Sequence, residues 1–474
     1  MAYINRRKFI TGATAVSALA GTGTLASLTQ QRAFAADTSG YKALVCVMLR
    51  GGMDHSDTVI PRDAENYDML RRVRGGIMGN HGNTRARGNL LPLDLARPGR
   101  FGGREFGLPA NLGPLQQMFN SGDMAIVGDV GPLIEPLDRQ GFNSNSVAKP
   151  KRLFSHNDQQ STWEALGVEG VRSGWGGKFA DAAARSDPNS TSAFSAIATG
   201  SASVFSYGDD VVPFRAPSRN GGLNIEIVDN KNLLGRNERY DAGRAALLDF
   251  LRSNEGGGDN LLTRDVKNIQ AEGVGVTLQF REAQAQAVSL NSAFPGSRLG
   301  GQLRTVAETI AMRDLLNVNR QVFFVETGGF DTHNNQASNL SQLQVDISNS
   351  FAAFRDAMVA QGDWNNVTIF TISDFGRTLV ENGAGTDHGW GGYMMVAGGQ
   401  VQGGDIYGTM AAPQPQSSSY TDDRGRLIPT TSVEQYAATL GRWFGLDEGE
   451  LSAALPNLAN FDGRNVGFMG GSGA

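Results

Sequence analysis

The chain has 474 residues, 42 of them Lys or Arg and 47 Asp or Glu, for a formal net charge of -5. So mild a balance excludes recruitment to nucleic acid or to an anionic membrane by bulk charge, and the length suits one large α/β domain or two smaller ones. Glycine is the anomaly: 62 residues is nearly twice the usual share, spread over many GG turns and not over a repeat, which points to long loops on a globular scaffold.

The first 35 residues read as an export signal and not as part of the fold. Arg6 and Arg7 stand before Lys8, Phe9 and Ile10 and a weakly apolar run rich in Gly, Ala and Thr, and AFA at 33–35 resembles a small-residue cleavage site. The run is too polar for a stable membrane span, which needs about twenty strongly apolar residues. The expectation is export in folded form by the twin-arginine machinery, to the periplasm or beyond. Cys46 is the single cysteine, so no intrachain disulfide forms, and its place inside ALVCVML makes it a buried core thiol.

Short apolar runs recur at 43–49, 124–130, 194–199, 321–327, 367–373 and 393–398. Being apolar on both faces, they fit strands of a parallel sheet covered on each side. Helices are predicted between them at 110–121, 157–166, 240–254, 262–290, 299–315, 338–361 and 432–444. The fold class is therefore α/β, a mostly parallel wound sheet with helices on both faces, in a single domain spanning 42–464. Residues 61–108, dense in Arg and Gly, read as a long loop excursion over the sheet edge or the site mouth. Residues 199–222 and 399–430 are loops of similar kind, and 465–474 is a flexible tail.

Wound α/β folds bind ligands at the carboxyl ends of their strands. Three such ends carry acids here: Asp54 after LVCVMLRGGM, Asp331 in VFFVETGGFDTH, and Asp374 in TIFTISDF. Five histidines exist, at 55, 81, 156, 333 and 388. Carboxylate with imidazole suits zinc, manganese or iron, while carboxylate alone leans to magnesium or calcium. Asp331 reads either as a turn residue capping a backbone amide or, with His333, as a ligand; His388 reads as a ligand with Asp387 orienting it, or as part of a loop that the Asp387 to His388 hydrogen bond holds. His55 is open between ligand and polar rim, and His81 is expected in solvent. Ser155 precedes a predicted helix, so a helix cap and a nucleophile facing oriented amides compete, and local sequence favours the cap.

The order of five motifs is informative. LVCVMLRGGMDHSDTVIP, RLFSHNDQQSTWEALG, VFFVETGGFDTHNNQ, SDFGRT and GTDHGWGGYMMVAGGQVQGGDIYG, after such a leader, closely resemble the bacterial domain-of-unknown-function family 1501. That family is grouped by fold with the alkaline phosphatase and sulfatase superfamily, whose members act on phosphate and sulfate esters. The resemblance implies metal positions at Asp54, Asp331, His333, Asp374 and His388, with Phe375 standing where a histidine is usual. It puts Ser155 at the nucleophile position. Asp331, His333 and His388 would form one three-ligand site, while the second site lacks its imidazole and has His55 or His156 as a replacement. No Cys-x-Pro-x-Arg segment is present, which argues against a formylglycine route.

The implied activity is a metal-dependent hydrolase, zinc or manganese being favoured over calcium or magnesium, on a small-molecule or glycan ester. Ser155 or a water would attack, with Arg377 and His156 stabilising charge on the transferred group. The alternative is a non-catalytic envelope protein that holds a metal or an anionic glycan in the same crevice.

Overall fold

The computed structural model describes residues 36–144, 146–187, 191–201, 203–217, 229, 238–253, 260–287 and 290–470. The expected twin-arginine leader, residues 1–35, lies outside them. In chain order the strands are β1 (Lys42–Arg50), β2 (Ile60–Pro61), β3 (Leu91–Pro92), β4 (Phe106–Leu108), β5 (Met124–Gly131), β6 (Ala196–Ala198), β7 (Phe214–Arg215), β8 (Arg320–Gly328), β9 (Val367–Ser373), β10 (Arg377–Glu381), β11 (Thr386–His388), β12 (Gly392–Gly398), β13 (Ile406–Gly408) and β14 (Thr431–Ser432).

The central sheet runs β13-β5-β12-β9-β1-β8-β6-β7, with β14 also on β5. β1 lies in its middle, parallel to β8 and to β9. It is sealed on both faces because its side chains alternate: Val45, Val47 and Leu49 join one core, and Leu44, Cys46 and Met48 join the other. The first core is closed by the helices Gly113–Asn120, Arg298–Ala311 and Gln336–Gln361, the second by Trp175–Ser186 and Val433–Phe444. The α/β class with a mostly parallel sheet is thus the observed one. β12 is the antiparallel member, pairing so with both β5 and β9. An apolar run buried on both faces has no period that encodes strand direction.

The 61–108 excursion is not a structureless loop. It holds the helix Ala64–Asn80 and the small sheet β2-β4-β3, fastened to the body by buried ion pairs. The helix leaves helical geometry at Arg74 (φ -147°, ψ 34°), whose side chain enters the protein to meet Asp54. The predicted helix at 299–315 breaks at Met312 into Arg298–Ala311 and Arg313–Leu316. The tail is packed as far as Gly470: Phe468 is buried against Tyr407 and Tyr436. Residues 471–474 lie outside the described residues.

Candidate metal centre

The parallel strands β1, β8 and β9 end side by side, and the three acids follow those ends. Two glycines let the Asp331 to His333 loop pass. Gly51 has φ 115°, and a Cβ there would lie 2.4 Å from the Asp331 nitrogen; one on Gly385 would lie 2.0 Å from the Thr332 oxygen. The loop is thereby pressed against β11, which carries His388 opposite Arg377 of β10.

Three imidazoles aim their Nε2 atoms at one carboxylate. His333 Nε2 is 3.1 Å and His388 Nε2 3.4 Å from Asp331 Oδ1, and His156 Nε2 is 3.6 Å from Oδ2. Among the described residues, His156, Asp331 and His388 form a group with one ligand atom each, all within 4.8 Å of one another. His333 adjoins it, its Nε2 3.0 Å from that of His388.

The far side of each ring is held as well. His156 Nδ1 lies 2.6 Å from Asp374 Oδ2, His388 Nδ1 2.8 Å from the Phe154 carbonyl oxygen, and His333 Nδ1 3.4 Å from Asp387 Oδ1. Carbonyls and carboxylates only accept, so Nδ1 carries the proton in His156 and His388, and Nε2 is the lone-pair nitrogen of the neutral ring. Metal-binding histidines are oriented in this way.

The electrostatics agree in part. Burial alone would raise the Asp331 carboxyl, but the hydrogen bond and charge of Arg377 outweigh it and hold the group ionised. Burial lowers His388 and keeps it neutral. His156 moves the other way, raised by its hydrogen bond to Asp374, so a proton competes with a cation there. The Asp331 side chain is 46% exposed, which leaves the cluster an open face. An ionised carboxylate with neutral imidazole nitrogens is a donor set that fits zinc or manganese.

The other expected residues have different surroundings. Asp54 is not brought into the cluster: it is fully buried, its carboxylate taken by Arg74 at 3.0 Å and Gln336 at 2.7 Å. Asp374 stands behind His156 and not beside the other donors. Arg377 is buried, donating to Asp331 Oδ1 at 2.8 Å, to the Gly51 oxygen at 3.2 Å and to the Thr386 oxygen, so it braces Asp331 and does not face the open side. Phe375, at the place of the expected histidine, fills it with a ring 4.8 Å from His156 and 4.6 Å from His388, centroid to centroid.

His55 is buried against Tyr393, and His81 is buried between Asp57 and Ser341, so neither the rim reading of the first nor the solvent reading of the second is met. Ser155 is the N-cap residue of the helix His156–Ala165, yet among the described residues no backbone amide donates to its side chain; Oγ donates to Asp158 Oδ2 at 2.9 Å instead. The turn before it is strained, with Arg152 at φ 52° and Phe154 at φ 72°, and this turn presents the Phe154 carbonyl to His388.

The family model described as "Protein of unknown function (DUF1501)" matches residues 109–455. The chain belongs to DUF1501. His156, Asp331, His333, Asp374 and His388 all lie inside the matched span of this DUF1501 protein, and Asp54 lies before it. No curated protein matches the sequence. A structure titled "Crystal structure of Ps i-CgsB in complex with k-i-k-neocarrahexaose" is similar at 10% identity and a TM-score of 0.32, over 90% of this chain and 78% of that one. A likeness that low carries no argument about the ligand of this chain. Among the described residues no helix is long and apolar enough to cross a membrane.

Proposed function

We propose that this DUF1501 protein is an exported, metal-dependent hydrolase of a phosphate or sulfate ester, built on a site related to that of the alkaline phosphatase and sulfatase superfamily. The observation that carries the reading is the convergence of His156, His333 and His388 on Asp331, each ring held from behind by an acceptor. Asp331, His156 and His388 would hold a zinc or manganese ion, with His333 beside those residues. When bound there, such a cation would supply Lewis-acid polarisation of an ester oxygen.

Ser155 would supply the attacking oxygen: Asp158, which already accepts its proton, takes that proton as the seryl ester bond forms and the bond to the alcohol oxygen breaks. The alcohol leaves with a proton from water, and a second water hydrolyses the seryl ester to free phosphate or sulfate and restores the serine. The opening amides of the helix His156–Ala165 face the anionic group. Arg377 serves by holding Asp331.

A second reading, metal binding without turnover, draws support from Phe375 and from the engagement of Asp54 by Arg74. The deciding experiment is metal analysis of protein purified from the exporting host, followed by assay on aryl phosphate and aryl sulfate. Hydrolysis that needs zinc or manganese and is lost in Ser155→Ala, with metal retained, supports the enzyme. Metal without hydrolysis supports the binding protein, and no metal with no gain on adding either ion overturns both.

A further inference from the structure

The helix His156–Ala165 presents His156 and Gln160, one turn apart, on the same face. Both meet one oxygen: His156 Nδ1 lies 2.6 Å and Gln160 Nε2 2.8 Å from Asp374 Oδ2. Asp374 is fully buried, and among the described residues its Oδ1 has no hydrogen-bond partner. The opposite end of the Gln160 amide is fixed too, because Oε1 accepts from Arg50 Nη1 at 2.7 Å. A guanidinium only donates and a carboxylate only accepts, so the amide has one workable orientation. Arg50 is itself held, with Nε 2.5 Å from Glu326 Oε2 and Nη2 3.3 Å from Glu164 Oε1. A continuous polar chain therefore leads from the ends of β1 and β8 to the His156 ring.

We infer that Gln160 is a positioning residue of the candidate metal centre: it holds Asp374 in the rotamer that accepts from His156 Nδ1, and so turns His156 Nε2, as the lone-pair nitrogen, toward Asp331. Its consequence for metal affinity rests on the function proposed above; its effect on the imidazole does not. With one carboxylate oxygen unpartnered, the hydrogen bonds of His156 and Gln160 are what fix this rotamer. Loss of Gln160 leaves His156 alone to orient the group that is meant to orient it.

The test uses the full chain with Gln160→Leu, which keeps bulk and removes both hydrogen bonds, and Arg50→Met, which leaves the amide but removes the donor that orients it. Imidazole nitrogen and proton resonances of the metal-free protein, recorded at alkaline pH where the His156 ring is neutral, report its tautomer, and zinc titration calorimetry reports affinity. The expectation is a protonated Nδ1 in the parent, a mixed tautomer in Gln160→Leu, and zinc affinity lower by about tenfold, in line with the loss of other groups that orient metal ligands. Arg50→Met should move both readouts the same way by less.

Asp374→Asn combined with Gln160→Leu should bind zinc no worse than Asp374→Asn alone, since the two act through one contact. Gln160→Leu with the parent tautomer and a zinc Kd within about twofold of the parent overturns the inference, and so does a loss of thermal stability with both readouts unchanged. If the parent binds no metal, the proposed function fails while the tautomer still decides the role of Gln160. If Gln160→Leu does not fold, Arg50→Met gives the same reading.

Discussion

Asp54→Asn separates two roles that a strand-end acid can have. Its carboxylate receives Arg74 Nη1 at 3.0 Å, Gln336 Nε2 at 2.7 Å and the Asp57 amide at 3.1 Å, and the Asp54 and Arg74 side chains are both wholly buried. At that separation and an effective dielectric of about 20, the ionic attraction is about 5 to 6 kcal/mol. Desolvation offsets much of it, but removing one partner leaves the other charge buried alone, at a cost of about 3 to 5 kcal/mol. An asparagine adds a further conflict by turning an N–H donor toward Arg74 or Gln336. The variant should therefore lose about 3 to 5 kcal/mol in urea unfolding followed by tryptophan fluorescence, and bind metal with unchanged stoichiometry. Adding Arg74→Met should cost less than the sum of the two single changes. An Asp54→Asn protein of parental stability that has lost its metal would refute the reasoning and return Asp54 to the ligand set.

Two further predictions follow from the same geometry. His388→Ala should abolish stoichiometric zinc or manganese binding in elemental analysis, and chelation should lower the melting temperature of the parent but not of the variant; one equivalent of metal in the variant counts against the cluster. His55, buried and packed on Tyr393, has its pKa pushed down by burial from 6.5 to about 4. The unfolded chain takes up this proton first, so the contribution to stability is complete above pH 6.5 and is lost as pH falls toward 4, by about 3 kcal/mol in all. His55→Phe should flatten that stretch of the stability profile, and an unchanged slope would place the acid sensitivity elsewhere.

Burial pattern explains which parts of the fold were legible. β1, β5, β8, β9 and β12 announced themselves as apolar runs because both their faces are covered, and the helices around them carry an apolar stripe. The helix Ala64–Asn80 did not, since it buries only Tyr67, Leu70, Ile77 and Met78 among its apolar residues and is interrupted at Arg74. Its attachment is by ion pairs such as Arg74 with Asp54, and charges in a sequence do not disclose their partners.

The site divides in the same manner. Asp331, His333 and His388 stood out because each lies in a glycine-rich stretch after or beside a strand. Gln160 gave no comparable signal, since one glutamine in a helix is ordinary until Arg50 and Asp374 are seen on either side of it.

Phe375 is where these threads meet. The resemblance to the superfamily leads one to expect a histidine at 375 and with it a second metal site. In the folded protein the acids assigned to that site have other surroundings: Asp54 neutralises Arg74, and Asp374 orients His156. The Phe375 ring packs against both His156 and His388, so it sets the angle between two imidazoles that converge on Asp331. An imidazole at 375 would enter the same space with a polar edge to satisfy and a second cation to attract. The helix that carries Ser155 at its N-cap contributes His156 in its place, so the nucleophile candidate and a metal-ligand candidate move as one body. A helix N-terminus and three strand ends thus meet around Asp331, and Phe375 is a packed member of that cluster.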